Sequence, residues 1–145
     1  MKTPIKREKV LLILDWCIFK FGASKYHDEY PPHIRIYKSC GTAAFNNKND
    51  GLRGTYLDGT ITIYLGSNRS IKELCETVIH EYKHYLMSDD EYDVLTNIMK
   101  TRGKKLGDLK YNHPHEKRAR RMEAKWGEIC FQELRNKLYK KTENA

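Results

Sequence analysis

The sequence predicts an α+β fold: a small sheet of three to four strands packed against helices. Three observations carry this. Apolar residues recur at helical spacing over 4–21 and 70–87. Residues 55–65 alternate on either side of Asp58-Gly59, the pattern of a hairpin with a tight turn. Residues 113–139 read as one long helix, with Pro114 suited to its first turn. At 145 residues, one domain spanning 1–145 is expected, with a frayed tail over 140–145.

In the first helix Val10, Ile13, Leu14, Cys17, Ile18 and Phe21 trace a stripe, and Gly22 is a natural stop. Residues 26–32 break the pattern and read as a loop, so His27 and His33 are expected at the surface. Ile34 and Ile36 alternate within a half-buried strand over 33–39, and residues 41–45 are a possible second short strand. Residues 46–54 form a turn cluster around Asp50-Gly51. The hairpin follows, with Ile61, Ile63 and Leu65 on one face of its second arm. Ser70 and Glu73 form an S-x-x-E capping box for the next helix. Its apolar face is Ile71, Leu74, Cys75, Val78, Ile79, Tyr82, Tyr85 and Leu86. Ser88 to Glu91 caps a shorter helix to about Thr101, with Tyr92, Leu95, Ile98 and Met99 on its apolar side. After a loop over 104–112, the last helix carries Ala119, Met122, Trp126, Ile129, Cys130, Leu134 and Leu138 inward.

The bulk numbers narrow the class. Hydrophobic residues make up 39% and charged residues 32%, the balance of a globular protein with a polar surface. A net charge of +8 favours acidic partners, nucleic acid among them. Cys17, Cys40, Cys75 and Cys130 are far apart and form no C-x-x-C, which argues against a structural zinc knot. Asp15 interrupts the longest apolar stretch, so neither a membrane span nor a signal peptide is expected. A cytoplasmic protein with reduced thiols is the simplest expectation.

Chemistry concentrates at His80-Glu81-Tyr82-Lys83-His84, an H-E-x-x-H motif on a capped amphipathic helix. Histidines at i and i+4 lie one turn apart on one face, so both rings can close on one Zn²⁺. Glu81, beside the first histidine, is placed to act as general base for peptide-bond hydrolysis. A catalytic zinc needs a third protein ligand. Glu116 is preferred, because Ala119 at i+3 lets two helices approach closely. Glu123, His113, His115 and Asp90 remain open. The extended form of the motif would require glycine where Met87 stands. Tyr111, His113 and His115 are candidate oxyanion donors.

HEYKHYL, followed some thirty residues later by YNHPHEKRAR, resembles the gluzincin arrangement of small bacterial and phage metallopeptidases of the ImmA/IrrE type. The resemblance implies a zincin-like fold, Zn²⁺ as cofactor and a protein or peptide substrate. It also implies His80, His84 and Glu116 as ligands and Glu81 as base. In zinc peptidases of this kind the strand before the motif helix often forms the sheet edge on which an extended peptide docks. The chain is also similar to the SprT-like proteases acting on DNA-associated proteins, which take a third histidine, here His113. A different class is a basic nucleic-acid binder using Lys104, Lys105, Lys110, Arg118, Arg120, Arg121 and the C-terminal lysines.

Overall fold

Helix-forming and strand-forming segments fall close to where the spacing puts them. The structure, a computed structural model, describes residues 6–39, 52–105 and 112–139. Among these it is α+β, with helices α1 (Arg7–Phe21), α2 (Ile71–Leu86), α3 (Asp89–Thr101) and α4 (Pro114–Tyr139). Its strands are β1 (His33–Tyr37), β2 (Gly54–Leu57) and β3 (Thr60–Tyr64). A 3₁₀ turn, Leu65–Ser67, leads from β3 toward α2. No described helix is long and apolar enough to cross a membrane.

The sheet is mixed and ordered β1-β3-β2. β2 and β3 pair antiparallel across the expected turn, where Asp58 (φ 46°) and Gly59 (φ 82°) both adopt left-handed conformations. Two positive φ angles are what a two-residue hairpin turn requires, and Asp-Gly supplies them. β1 runs parallel to β3, with Ile34 beside Ile61 and Ile36 beside Ile63. The strand before the motif helix is therefore central, which corrects the expectation that it forms the edge. Its Ile61 and Ile63 are fully buried, and an edge strand would leave them less protected.

α2 is the axis of the core. Ser70 Oγ accepts from Glu73 N at 3.1 Å, and Glu73 Oε1 accepts from Arg69 N at 2.6 Å. Its apolar face packs on α1 and the sheet, burying Leu74, Cys75, Val78, Ile79, Tyr82 and Tyr85. Val10, Ile13, Leu14 and Cys17 of α1 meet it, with Cys130, Leu134 and Leu138 of α4. α4 and β2 also cover the polar face of α2, and Thr77, Glu81 and His84 are buried as well. Gly127 permits this approach: a Cβ there would stand 2.7 Å from Glu76 Cγ.

Some placements differ from expectation. β1 ends at Tyr37 rather than Ser39. Trp16, off the expected stripe, is buried because its ring meets Phe21 and Trp126 and its indole N–H donates to Glu133 at 2.7 Å. Ile129 and Ile98 are exposed: Cys130 and Leu134 take the inward positions of α4, and α3 buries no residue fully. His27, expected at the surface, lies between two tyrosines. The expectations for residues 41–45, for the turn cluster up to Gly51, for Cys40, for Tyr111 and for the tail fall outside the described residues.

Candidate metal centre

α2 presents His80 and His84 one turn apart, with ring centroids separated by 5.2 Å. The start of α4 lies across them. Glu116 spans the pair, one carboxylate oxygen to each ring: Oε1 is 3.0 Å from His80 Nε2, and Oε2 is 2.7 Å from His84 Nε2. Two turns further along α4, Glu123 Oε1 takes the other nitrogen of His80, Nδ1, at 2.7 Å. Glu123 therefore sits behind the ring and is not grouped with Glu116. A carboxylate on the far nitrogen fixes a histidine's orientation and tautomer, the arrangement found behind metal-ligating imidazoles.

Glu81 is the unusual member. It is 7% exposed and accepts no hydrogen bond from any described residue. Ligand-type atoms of His80, Glu81 and His84 all lie within 4.8 Å of one another. Burial pushes the Glu81 carboxyl up to about 7, against the pull of the two imidazoles. Burial alone would lower His80, but the hydrogen bonds to Glu116 and Glu123 outweigh it and raise the imidazole to about 10. Glu116 is desolvated too, yet the two imidazole donors hold it well below the usual carboxylate range.

The donor set fits a divalent cation. Two imidazole nitrogens and a carboxylate are borderline ligands of the kind zinc takes, and Glu81 is a buried carboxylate beside them of the kind that can serve such a site as a base. Glu116 already meets the Nε2 atom of each imidazole, at 3.0 Å and 2.7 Å, so these three side chains are the ones that would hold the ion. The ring proton held by His80 would leave as the ion arrives.

The other candidates lie elsewhere. His113 is fully buried, with Nδ1 accepting from His115 N at 3.0 Å. Its Nε2 sits 3.2 Å from Tyr92 O and 3.1 Å from Thr96 Oγ1, and its ring stacks on Tyr92 at 4.0 Å. His115 Nε2 meets Glu91 Oε1 at 2.7 Å, and Arg118 donates to that same oxygen at 3.0 Å. Both histidines thus bind α3 and anchor the turn that delivers Glu116. Burial lowers the pKa of each, so they stay neutral near pH 7. Asp90 is exposed in the first turn of α3.

Two residues near the pair had no signal in their own segments. Tyr56 of β2 lies nearly parallel to the His84 ring, 10° between planes and 6.2 Å between centroids. Its hydroxyl accepts from Gly59 N at 3.0 Å and lies 2.8 Å from His27 Nε2. His27 in turn stacks on Tyr85 at 5.5 Å and stands 3.9 Å from Asp89. Tyr85 and Tyr82 donate their hydroxyls to the backbone of the 22–32 loop at Glu29 O and Gly22 O. The loop therefore brings His27 inward, although its composition reads as surface.

No family model, curated protein or solved structure matches the chain.

Proposed function

We propose that this protein is a zinc-dependent metallopeptidase with a zincin-like fold, akin to the small gluzincins its motifs resemble. The observation that carries the reading is Glu116 reaching both Nε2 atoms of an H-E-x-x-H pair while Glu81 lies buried beside them, its carboxylate hydrogen-bonded to none of the described residues. His80, His84 and Glu116 would hold the ion, and Glu123 would fix the His80 ring from behind. When bound, zinc supplies Lewis-acid polarisation of a carbonyl and a more acidic water.

The protein's own groups do the rest. Glu81, beside the two imidazoles, would take a proton from water as that water attacks the peptide carbonyl, and pass it to the departing amine. Its burial keeps competing water away from that transfer. Among the described residues β2 is paired along one side only, with β3. An extended peptide adding to its other side would run beside Tyr56 and hence past His84.

Metal analysis and a peptide-cleavage assay test this together. The expected result is one zinc per chain, cleavage abolished by chelator, and Glu81→Gln retaining zinc while losing at least about 10²-fold in turnover. Glu116→Ala should lose stoichiometric zinc, whereas His113→Ala should not lose a ligand. Zinc retained in Glu116→Ala but lost in His113→Ala would favour the SprT-like alternative.

A nucleic-acid-binding role is the second reading. The exposed row Lys117, Arg118, Arg121 and Lys125 on α4 favours it. Salt-dependent DNA binding that persists in Glu81→Gln, without any cleavage activity, would support that role as the principal one.

A further inference from the structure

A second concavity lies at the C-terminal end of α2, walled by the loop after α1 and by the start of α4. Its volume is about 420 Å³, and it is lined by Phe21, Lys25, Tyr26, Lys83, Glu91 and Arg118 among others. That size falls in the range of small-molecule sites. Three cations converge on it from three separate segments. The one carboxylate, Glu91, is already engaged by Arg118 and by His115. Lys25 and Lys83 make no ion pair or hydrogen bond with any described residue.

The lining therefore presents a surplus of two positive charges, the complement of a phosphomonoester dianion. The aromatic side is equally specific. Phe21 is braced edge-on by Trp16 and Trp126, and Tyr26 is 60% exposed. A braced ring beside an exposed one offers an apolar platform for a flat heterocycle. A carboxylate side chain would use the cations but leave the rings bare. A purely apolar ligand would leave the two ammonium groups without a counter-charge.

We propose that this cleft binds a phosphomonoester carried on a flat ring, of the kind a nucleoside monophosphate presents. The phosphate lies among Lys25, Lys83 and Arg118, and the ring lies against Tyr26 and Phe21. The site is separate from the His80–His84 pair and does not depend on the metallopeptidase reading.

The test is a titration of the full-length, chelator-treated protein with AMP, inorganic phosphate and adenosine, followed by calorimetry and by chemical-shift changes. AMP should bind saturably, with Kd at or below about 1 mM. Phosphate alone and adenosine alone should each bind at least about tenfold more weakly, because each uses half of the site. Lys25→Ala/Lys83→Ala should weaken AMP by about tenfold or more, and Lys25→Arg/Lys83→Arg should restore it. Tyr26→Ala should weaken AMP but not phosphate. Lys25, Tyr26 and Lys83 lie outside the buried core, and an unchanged melting temperature checks that each variant folds. No saturable AMP binding, equal affinity in the double alanine variant, or phosphate binding as tight as AMP would each overturn the assignment.

Discussion

Glu81 illustrates how a buried acid can serve chemistry at the expense of stability. Its carboxyl is raised from 4.5 to about 7, so the folded protein prefers the protonated form. A raised carboxyl contributes most below its unfolded value, and that contribution disappears as pH climbs from about 4.5 to 7. Glu81→Gln removes the charge and keeps the shape. In metal-free protein at pH 8, urea unfolding should show the variant more stable by about 1–3 kcal/mol, with the gain shrinking toward pH 5. An equal effect at both pH values would contradict the burial argument. His80 shows the same direction of pH dependence at higher pH, for a different reason: its hydrogen bonds to Glu116 and Glu123 favour the charged ring. Its raised imidazole stabilises the fold fully below its ordinary 6.5 and loses that contribution as pH rises through about 10. Near pH 7 the ring therefore carries a proton that an incoming ion must displace. Zinc titrations in two buffers of different ionisation enthalpy should report release of about one proton per ion.

At the scale of elements, the candidate centre exists because α4 is pressed against the polar face of α2. Gly127 marks a close approach between them, in the interior of a helix that would otherwise favour alanine by roughly 1 kcal/mol. A Cβ at 2.7 Å from Glu76 Cγ reverses the preference, so Gly127→Ala should destabilise by about 1–3 kcal/mol. Adding Glu76→Ala should recover much of the loss, and a double-mutant cycle measures the coupling. The junction of α3 and α4 is the second control point. Glu91 on His115, together with Tyr92 and Thr96 on His113, holds the turn from which Glu116 projects. Glu91→Gln and His115→Asn should each weaken zinc by about tenfold, read with a competing chromophoric chelator. Unchanged affinity in both would mean that Glu116 is positioned by α4 packing alone.

At the scale of the whole molecule, a metal that binds His80, His84 and Glu116 would join α2 to α4, whose closest ligands, His84 and Glu116, are 32 positions apart in the chain. Only the folded chain offers that donor set. Zinc at a free concentration of 100 times Kd should therefore stabilise the fold by about 2.7 kcal/mol, seen as a melting temperature that rises with added ion. Glu116→Ala should abolish that rise. A rise retained in full would place the ion elsewhere.

Much of this was legible along the chain. The capping box fixed the start of α2, Asp58-Gly59 fixed the hairpin, and helical spacing marked most of the inward faces. The i, i+4 histidines belong to one helical turn, so their shared face follows from local geometry. Glu116 stood out through Ala119, a small residue that allows helices to approach. Other features are not local. β1 inserts beside β3 in parallel, so β3 is central and β2 is paired on one side only among the described residues, and parallel pairing leaves no turn signature in the sequence. His113 and His115 look like ligands in sequence, yet α3 occupies their bonded nitrogens. Glu123, a ligand candidate in sequence, instead holds the far nitrogen of His80, and Tyr56 reaches His84 from a strand whose own segment gives no hint of it. Periodicity and turn chemistry are properties of neighbouring residues, and the sequence alone determined what rests on them. Which carboxylate meets which imidazole depends on how distant elements pack, and only the tertiary structure decided it.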